Sequence, residues 1–478
     1  MPAFLIYTWH QLKGHPLRAL LVLFFFGRLI GITNPPLEVG HSWRQTTVTM
    51  VARNFHEVSA DILRPRVDMA GELSGITGME FPLLNYLIHL TSELFGYEHW
   101  FGRLIVLVIG SIGIWSFYRL LRRHLNEEVA QIAGIFLLGS IWFSFSRKMM
   151  PDVFSASLVI MGLERLDAYL LRNANPIHGL SALILLAAGV LSKLPAAHMM
   201  LFALPMLLMA WQNQAKGRFL FVGLGLAVTT GLAYLWYGYW VPQLIEDHGY
   251  AHFFMGDTLS QGFSELLEDL PQVFKRFYQT AMGFVGFLSF LSGLWAWSKD
   301  RTDPIGWILG LGSMGFSVVM VKAGWAFGHH NYYIVPYVPV MAVLAAHGIH
   351  HHLSGRVLLP ILVGLFLLEG VLNQVQDFRI KPQAAELVRL EGLLDKQLPE
   401  DGLLFVNSGK YPTPLYFAHR KGWIGTNQEI KKEAYRDSLE VLGLKHILIL
   451  KRAFGNDMTL PEEEVYSDED FHIYRLVD

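Results

Sequence analysis

Cysteine is missing from all 478 residues. Disulfides, thiolate-bound metals and cysteine nucleophiles are thereby excluded, and the redox compartment is left open. Charge is scarce too: Asp, Glu, Lys and Arg make up 16% of the chain, against roughly 25% in an average soluble domain. The formal net charge of -2 offers no basic footprint for nucleic acid. No internal repeat and no low-complexity tract occurs. The charges present are unevenly spread, with 30 in the 98 residues from Lys381 onward and 48 in the 380 before them. Apolar runs of membrane-spanning length fill that first stretch, which excludes a single water-soluble globule. The pattern predicts an all-α polytopic membrane domain over 1–380, followed by a small soluble α/β domain over 381–478.

Lys13 and Arg18 precede the first apolar run, 17–33, which only Arg28 interrupts. No small-residue cleavage site follows it, so it reads as an uncleaved anchor. Ten further runs of spanning length are 101–121, 129–145, 153–171, 177–194, 196–211, 219–240, 277–297, 305–321, 333–352 and 357–375. Polar loops occupy 34–82 and 241–276. The segment 83–95 is apolar but falls short of the roughly 20 residues a crossing helix needs. With it lying in the interface or re-entrant, Arg122, Arg123, Arg172, Lys216, Arg218, Lys299, Arg301 and Arg356 share the side of Lys13 and Arg18. The positive-inside rule makes that side cytoplasmic. Eleven crossings follow, with the C-terminal domain outside. In that domain 384–397 and 431–442 have helical spacing, 402–406 and 445–451 read as strands, and 464–466 with 471–476 as a closing hairpin.

This topology gathers on the outer side the residues a membrane interior tolerates least. They are Glu38, His41, Arg44, Gln45, Arg53, Asp68 and Glu80 in the first loop, then Arg147, Lys148, Asp152, Lys193, Lys322, His329, His330, Tyr332 and Tyr333. Ionisable groups at membrane depth pair with one another or face a cavity. A cleft holding both carboxylates and cations suits a reaction in which one group accepts a proton while cations stabilise a departing phosphate. Taken singly, a loop-end Lys or Arg is more often snorkelling than catalytic, and Glu80 has a rival role at the positive end of the helix 83–95. His347 and the run His350–His352 lie at the cytoplasmic end, where an interfacial role outweighs a metal site; His329 and His330 are the better metal or phosphate candidates.

Four stretches resemble a known family in order and spacing. Gly78-Met79-Glu80-Phe81-Pro82-Leu83 resembles the Glu-Lys-Pro-Pro-Leu segment of the lipid A aminoarabinose transferases. These belong, with the protein O-mannosyltransferases, to the GT-C superfamily of polytopic glycosyltransferases. Met150-Pro151-Asp152 stands where that family has an Asp opening a helix. Leu191-Ser192-Lys193-Leu194-Pro195-Ala196 resembles its Thr-Lys-Gly turn, and His330-Asn331-Tyr332-Tyr333-Ile334-Val335-Pro336 its Tyr-Tyr-x-x-Pro stretch. The resemblance covers about residues 15–350.

What the resemblance implies is a sugar donor on a polyprenyl phosphate, transfer on the outer face of a bacterial cytoplasmic membrane, and inversion at the anomeric carbon. Glu80 would then be an essential acid, Lys193 would neutralise the donor phosphate, Tyr332 or Tyr333 would hydrogen-bond near it, and Asp152 would orient a loop or a cation. The family's first acid comes in an Asp-Glu pair shortly before an Ala-Arg dipeptide. Here His41-Ser42-Trp43-Arg44-Gln45-Thr46-Thr47 leads to Ala52-Arg53 without a carboxylate. Either Glu38 or His41 replaces it, or the proton is handled differently; a neutral His is a sensible base near pH 7, and Arg44 can hold a phosphate or carboxylate with two parallel bonds. Substrate-binding candidates are thus Arg44, Gln45, Arg53, Asp68, Asp152, Lys193, His329, His330, Tyr332 and Tyr333, with Glu80, Glu38 and His41 as catalytic candidates. The expected partners are the polyprenyl-phosphate donor, a lipid, glycan or protein acceptor, and membrane lipids. No cofactor is called for, and a divalent metal is left open. Rival readings are a secondary transporter, which the lack of repeats disfavours, and a non-catalytic envelope-assembly subunit.

Overall fold

The computed structural model describes residues 15–172, 174–252, 256–301, 303–355, 357–399 and 402–476. Lys13 and Arg356, which entered the charge argument, lie outside the described residues. Two compact units emerge, one within Met1–Ile32, Arg103–Gly238 and Phe254–Val375, the other within Thr33–Gly102, Tyr239–Phe253 and Gln376–Asp478.

The first unit is helical. Among the described residues of the whole chain, six helical stretches are long and apolar enough to cross a membrane: Phe101–His124, Leu194–Gln212, Lys216–His248, Pro304–Ala323, Asn331–Leu353 and Leu358–Phe378. A seventh arises if Leu270–Ala281 and Gly283–Lys299, which meet at 99°, are one broken span. This is a multi-pass membrane protein. The remaining four runs of the sequence reading are helical but short or polar. Pro16–Leu29 has 14 residues, Glu127–Gly139 has 13 and Pro176–Ser192 has 17. Length and apolarity alone therefore do not reach eleven.

Pro151–Leu171, the fourth, is interrupted by acids that are paired. Glu164 takes bonds from Arg123 at 2.5 Å and Arg119 at 3.1 Å, and Asp167 from Arg123 at 2.8 Å and His124 at 2.6 Å. Buried charges survive only when matched in this way. The bend at Met282 has an equally local cause. The Glu369 carboxylate accepts hydrogen bonds from the backbone of Phe284 and Val285 at 2.8 and 2.9 Å, satisfying two orphan donors at the new helix start.

The second unit is mixed. Its sheet has the order β2-β1-β3-β5-β4, with β1 Leu403–Val406, β2 Gly422–Ile424, β3 Leu444–Leu450, β4 Glu463–Ser467 and β5 Phe471–Arg475. β1 runs parallel to β2 and β3, and β5 antiparallel to β3 and β4. Both faces are covered. Leu404, Val406, Leu448, Leu450 and Ile473 enter one core, and Phe405, Ile447, Ile449 and Tyr474 another. A strand buried on two sides reads as a continuous apolar run, which is why β3 was visible in the sequence. The helix Thr413–Ala418 and the strand β2 were not.

The loop 34–82 is not a loop throughout. Ser42–Glu57 is a helix, and its Met50, Val51 and Phe55 join the first of the two sheet cores. Likewise 241–276 holds the helices Val241–His248, Leu259–Glu268 and Leu270–Lys275. Polar helical faces hid both from a reading tuned to apolar spans. Gly71 stitches the first loop to the sheet. At φ +59°, an added Cβ would lie 2.3 Å from the Trp423 indole nitrogen, and its N–H donates to the Gly422 carbonyl at 2.8 Å.

Candidate functional site

In the second unit the candidates cluster around Ser42–Glu57. Its N-cap, His41, has φ +63°, a left-handed conformation that is uncommon for a side-chain-bearing residue. The His41 carbonyl receives the N–H groups of Arg44 and Gln45, each at 3.1 Å, starting the helix, and the Gln45 amide donates back to Gly40 at 3.2 Å. Glu38, wholly buried, pairs through its backbone with Ile380, and the neighbouring Val39 N–H donates to Arg379. Arg44 and Glu80 form a buried ion pair.

Glu80 stands two residues before the N-cap of the helix that follows it. The N-cap of Leu83–Phe95 is Pro82, with no side-chain cap bond. Just before it, Gly78 passes so close to Val241 that a Cβ would meet that side chain at 2.5 Å, and Thr77 Oγ1 donates to the Tyr250 carbonyl at 2.8 Å. His252 accompanies the Arg44–Glu80 pair. Burial first and the Arg44 cation second push its imidazole down to about 4, against the pull of Glu80, so it is neutral near pH 7. Sequence reasoning passed over His252, because its only signal is a lone His in a polar loop.

Arg53 and Asp68 serve each other. The guanidinium donates to Asp68 at 3.0 Å and to the Tyr416 carbonyl at 2.9 Å, and its carbon lies 4.7 Å from the centre of the Tyr416 ring. Asn54 holds the second Asp68 oxygen at 2.7 Å, and the hydroxyls of Tyr97 and Tyr416 meet at 2.9 Å. Burial pushes the Asp68 carboxyl up, with Arg53 opposing. Burial also works to lower the Arg53 guanidinium, but Asp68 and its other neighbours outweigh it and the net shift is upward.

In the first unit the candidates gather where three helices begin or break. Asp152 sits in the first turn of Pro151–Leu171, behind a Pro at the helix start, where a carboxylate matches the helix dipole. Lys193 is the extended residue between Pro176–Ser192 and the 3₁₀ segment Leu194–Phe202. Its ammonium lies 3.7 Å from Asp152 and 5.0 Å from the centre of the Tyr332 ring. Ser155 ties the break down by donating to the carbonyls of Gly189 at 2.7 Å and Lys193 at 3.3 Å. His330 stacks on Tyr332 with ring centres 5.3 Å apart, and Tyr333 follows at 4.8 Å. Asp152, Lys193, His330, Tyr332 and Tyr333 thus form one group.

Others are engaged elsewhere. His329 stacks on Trp325 at 3.9 Å and approaches Asp269 at 3.5 Å. Lys322 donates to the Asp257 carbonyl. Arg147 donates to the carbonyls of Ile30 and Gly31 at 2.8 and 2.9 Å, closing the end of Pro16–Leu29. The Lys148 ammonium lies over the Phe145 ring at 4.1 Å.

Residues 80–237 match the family model of the dolichyl-phosphate-mannose-protein mannosyltransferases. No curated protein matches the chain by sequence. Among solved structures, the chain is similar to ArnT from Cupriavidus metallidurans in the apo state, with a TM-score of 0.61 at 14% identity, covering 95% of this chain and 97% of that one. The same protein bound to undecaprenyl phosphate gives a TM-score of 0.60 at 14% identity, with the same coverage. The oligosaccharyltransferase AglB from Archaeoglobus fulgidus, in complex with an inhibitory peptide and a dolichol-phosphate, gives 0.52 at 12% identity over 92% of this chain and 70% of that one. The fold is therefore that of the GT-C membrane glycosyltransferases, as the four sequence stretches anticipated.

Proposed function

We infer that this chain is an integral-membrane glycosyltransferase that takes its sugar from a polyprenyl-phosphate donor. The observation that carries the reading is the Lys193 group. An ammonium placed at a helix break within an apolar unit is costly. Here it stands beside Asp152, an aromatic face and the positive start of Pro151–Leu171. An ammonium beside a helix start is chemistry suited to a phosphate ester anchored in the membrane. The undecaprenyl phosphate in the Cupriavidus protein supports this donor class.

In the reaction, an acceptor hydroxyl attacks the anomeric carbon and forms the new glycosidic bond. The bond from that carbon to the phosphate oxygen breaks with inversion, and polyprenyl phosphate leaves with the electron pair. Lys193 stabilises the departing phosphate, with Tyr332 or Tyr333 adding a hydrogen bond. By the family resemblance of the stretch 78–83, Glu80, which is ion-paired with Arg44, takes the hydroxyl proton. His41 and Glu38 shape the start of the helix that presents Arg44. Arg53 and Asp68 hold that helix in place.

The expected topology is eleven crossings, counting the shorter helices, with residues 381–478 on the outer face of the cytoplasmic membrane. The acceptor is a lipid, a glycan or a protein. Mass spectrometry of envelope glycolipids and glycans from cells with and without the gene tests the activity. Loss of one glycosylated species, with its unglycosylated form accumulating, is the expected outcome. An unchanged profile from cells shown to make the protein would overturn it.

A further inference from the structure

We propose that His56, His89 and Glu93 form a binding site for a divalent transition metal of the zinc type, fastening the helix Ser42–Glu57 to the helix Leu83–Phe95. The inference goes beyond the glycosyltransferase reading and does not rest on it.

His89 and Glu93 are one turn apart, so their side chains share a face of their helix. His56 comes from the last turn of the other helix. Its Nδ1 lies 2.7 Å from Glu93 Oε1, and His89 Nδ1 lies 3.6 Å from the same oxygen. One ligand atom from each of the three residues falls within 4.8 Å of the other two. Tetrahedral zinc, with bonds of about 2.0–2.1 Å, sets its ligands about 3.3 Å apart. The two distances to Glu93 bracket that value, and the two histidine nitrogens, within 4.8 Å of each other, would draw together on the ion.

A second observation points to a ligand. His89 is 5% exposed, and its Nδ1 has no hydrogen-bond partner among the described residues. A buried imidazole nitrogen normally finds a partner; this one is turned toward the Glu93 carboxylate and His56. Aromatic rings hold both imidazoles in place. Tyr86 lies 5.2 Å from the His89 ring, and Tyr97 stacks on His56 at 6.2 Å. Glu93 is half exposed and gives the ion a way in. Two imidazoles and one carboxylate suit zinc, cobalt or nickel rather than magnesium or calcium, which prefer oxygen. Three protein ligands leave one position for water.

The position of the clasp gives it a consequence. Ser42–Glu57 carries Arg44, Gln45 and Arg53, and Leu83–Phe95 starts three residues after Glu80. A metal joining the far turns of the two helices fixes the register of one on the other, and with it the Arg44–Glu80 pair. These three residues bind the ion and position others.

The test uses the full-length protein in detergent, purified without a polyhistidine tag and stripped with a chelator. His350, His351 and His352 are replaced by Asn so that this histidine run cannot compete. Zinc is titrated calorimetrically, and cobalt is added as a spectroscopic probe. One equivalent should bind, with visible cobalt bands of tetrahedral intensity and a raised thermal midpoint. His56→Ala and Glu93→Gln, both at accessible positions, should each weaken zinc at least about tenfold, the lower end of what even outer-sphere partners contribute. His89→Phe keeps the aromatic bulk and should abolish the cobalt spectrum. No binding by the parent protein, or equal binding by His56→Ala and Glu93→Gln, would overturn the site.

Discussion

Under the proposed function, Glu80 and Lys193 have different roles and should fail differently when replaced. Glu80→Gln keeps size and hydrogen bonding but removes the proton acceptor. Single-turnover transfer should fall by the ~10²–10⁴-fold typical of general-base loss, with donor binding little changed. Transfer at the parent rate would reduce Glu80 to a structural partner of Arg44. Arg53 invites the opposite expectation. Its partners Asp68 and Tyr416 are buried with it, so Arg53→Met should cost ~3–5 kcal/mol of stability at neutral pH by leaving a carboxylate buried and unmatched. Asp68 is already pushed up by burial and would climb further without its cation. The variant's deficit should therefore shrink as pH falls and Asp68 takes up its proton. Thermal unfolding of both proteins in detergent across acid and neutral pH reads this directly; a deficit independent of pH would contradict it.

Among the elements, what was legible and what was not separates on physical grounds. β3 and the hairpin β4–β5 announced themselves by apolar runs and alternation, and the spans by length. Ser42–Glu57 did not, because its buried residues mix Met50, Val51 and Phe55 with Arg44, Gln45, Thr46, Thr47 and Thr49. A helix buried by polar and apolar residues together shows no clean apolar stripe. The Arg44–Glu80 pair spans 36 residues and Arg53–Tyr416 spans 363, so no local pattern could join them. Lys193 was singled out because Lys between apolar runs is conspicuous, and Asp152 because Met150-Pro151-Asp152 resembles the family's helix-opening Asp. His419 makes a testable tie between elements. Its ring bonds Glu57, the last residue of Ser42–Glu57, at 2.8 Å and Glu391 at 2.6 Å. The hydrogen bond to Glu57, foremost, raises its pKa above the ordinary 6.5. A raised histidine pKa contributes stability that is complete below 6.5 and is lost as pH rises through the folded value. Unfolding midpoints should therefore drop across that window in the parent protein and stay flatter in His419→Gln. Equal slopes would remove His419 from the account.

For the molecule as a whole, composition predicted an apolar body over 1–380 and a charged tail over 381–478. It could not show that residues 33–102 and 239–253 share a compact unit with 376–478, because such packing lies in three dimensions and not in hydropathy. The crossing count is the expectation at this scale. An odd number, with Arg18 holding the start inside, puts a reporter fused after Asp478 in the exported state; a cytoplasmic signal would invert the placement of every outer-face residue. The central claim is that the Lys193 group receives a polyprenyl phosphate. The most direct measurement is the binding of undecaprenyl phosphate to the purified protein in nanodiscs, compared with Lys193→Met, which keeps the aliphatic bulk and removes the charge. Saturable binding by the parent protein, weakened at least about tenfold in a folded Lys193→Met as expected for a lost charge-assisted contact of ~1.5–3 kcal/mol, is the result predicted. Equal affinity in the two proteins, or no saturable binding in either, would contradict it.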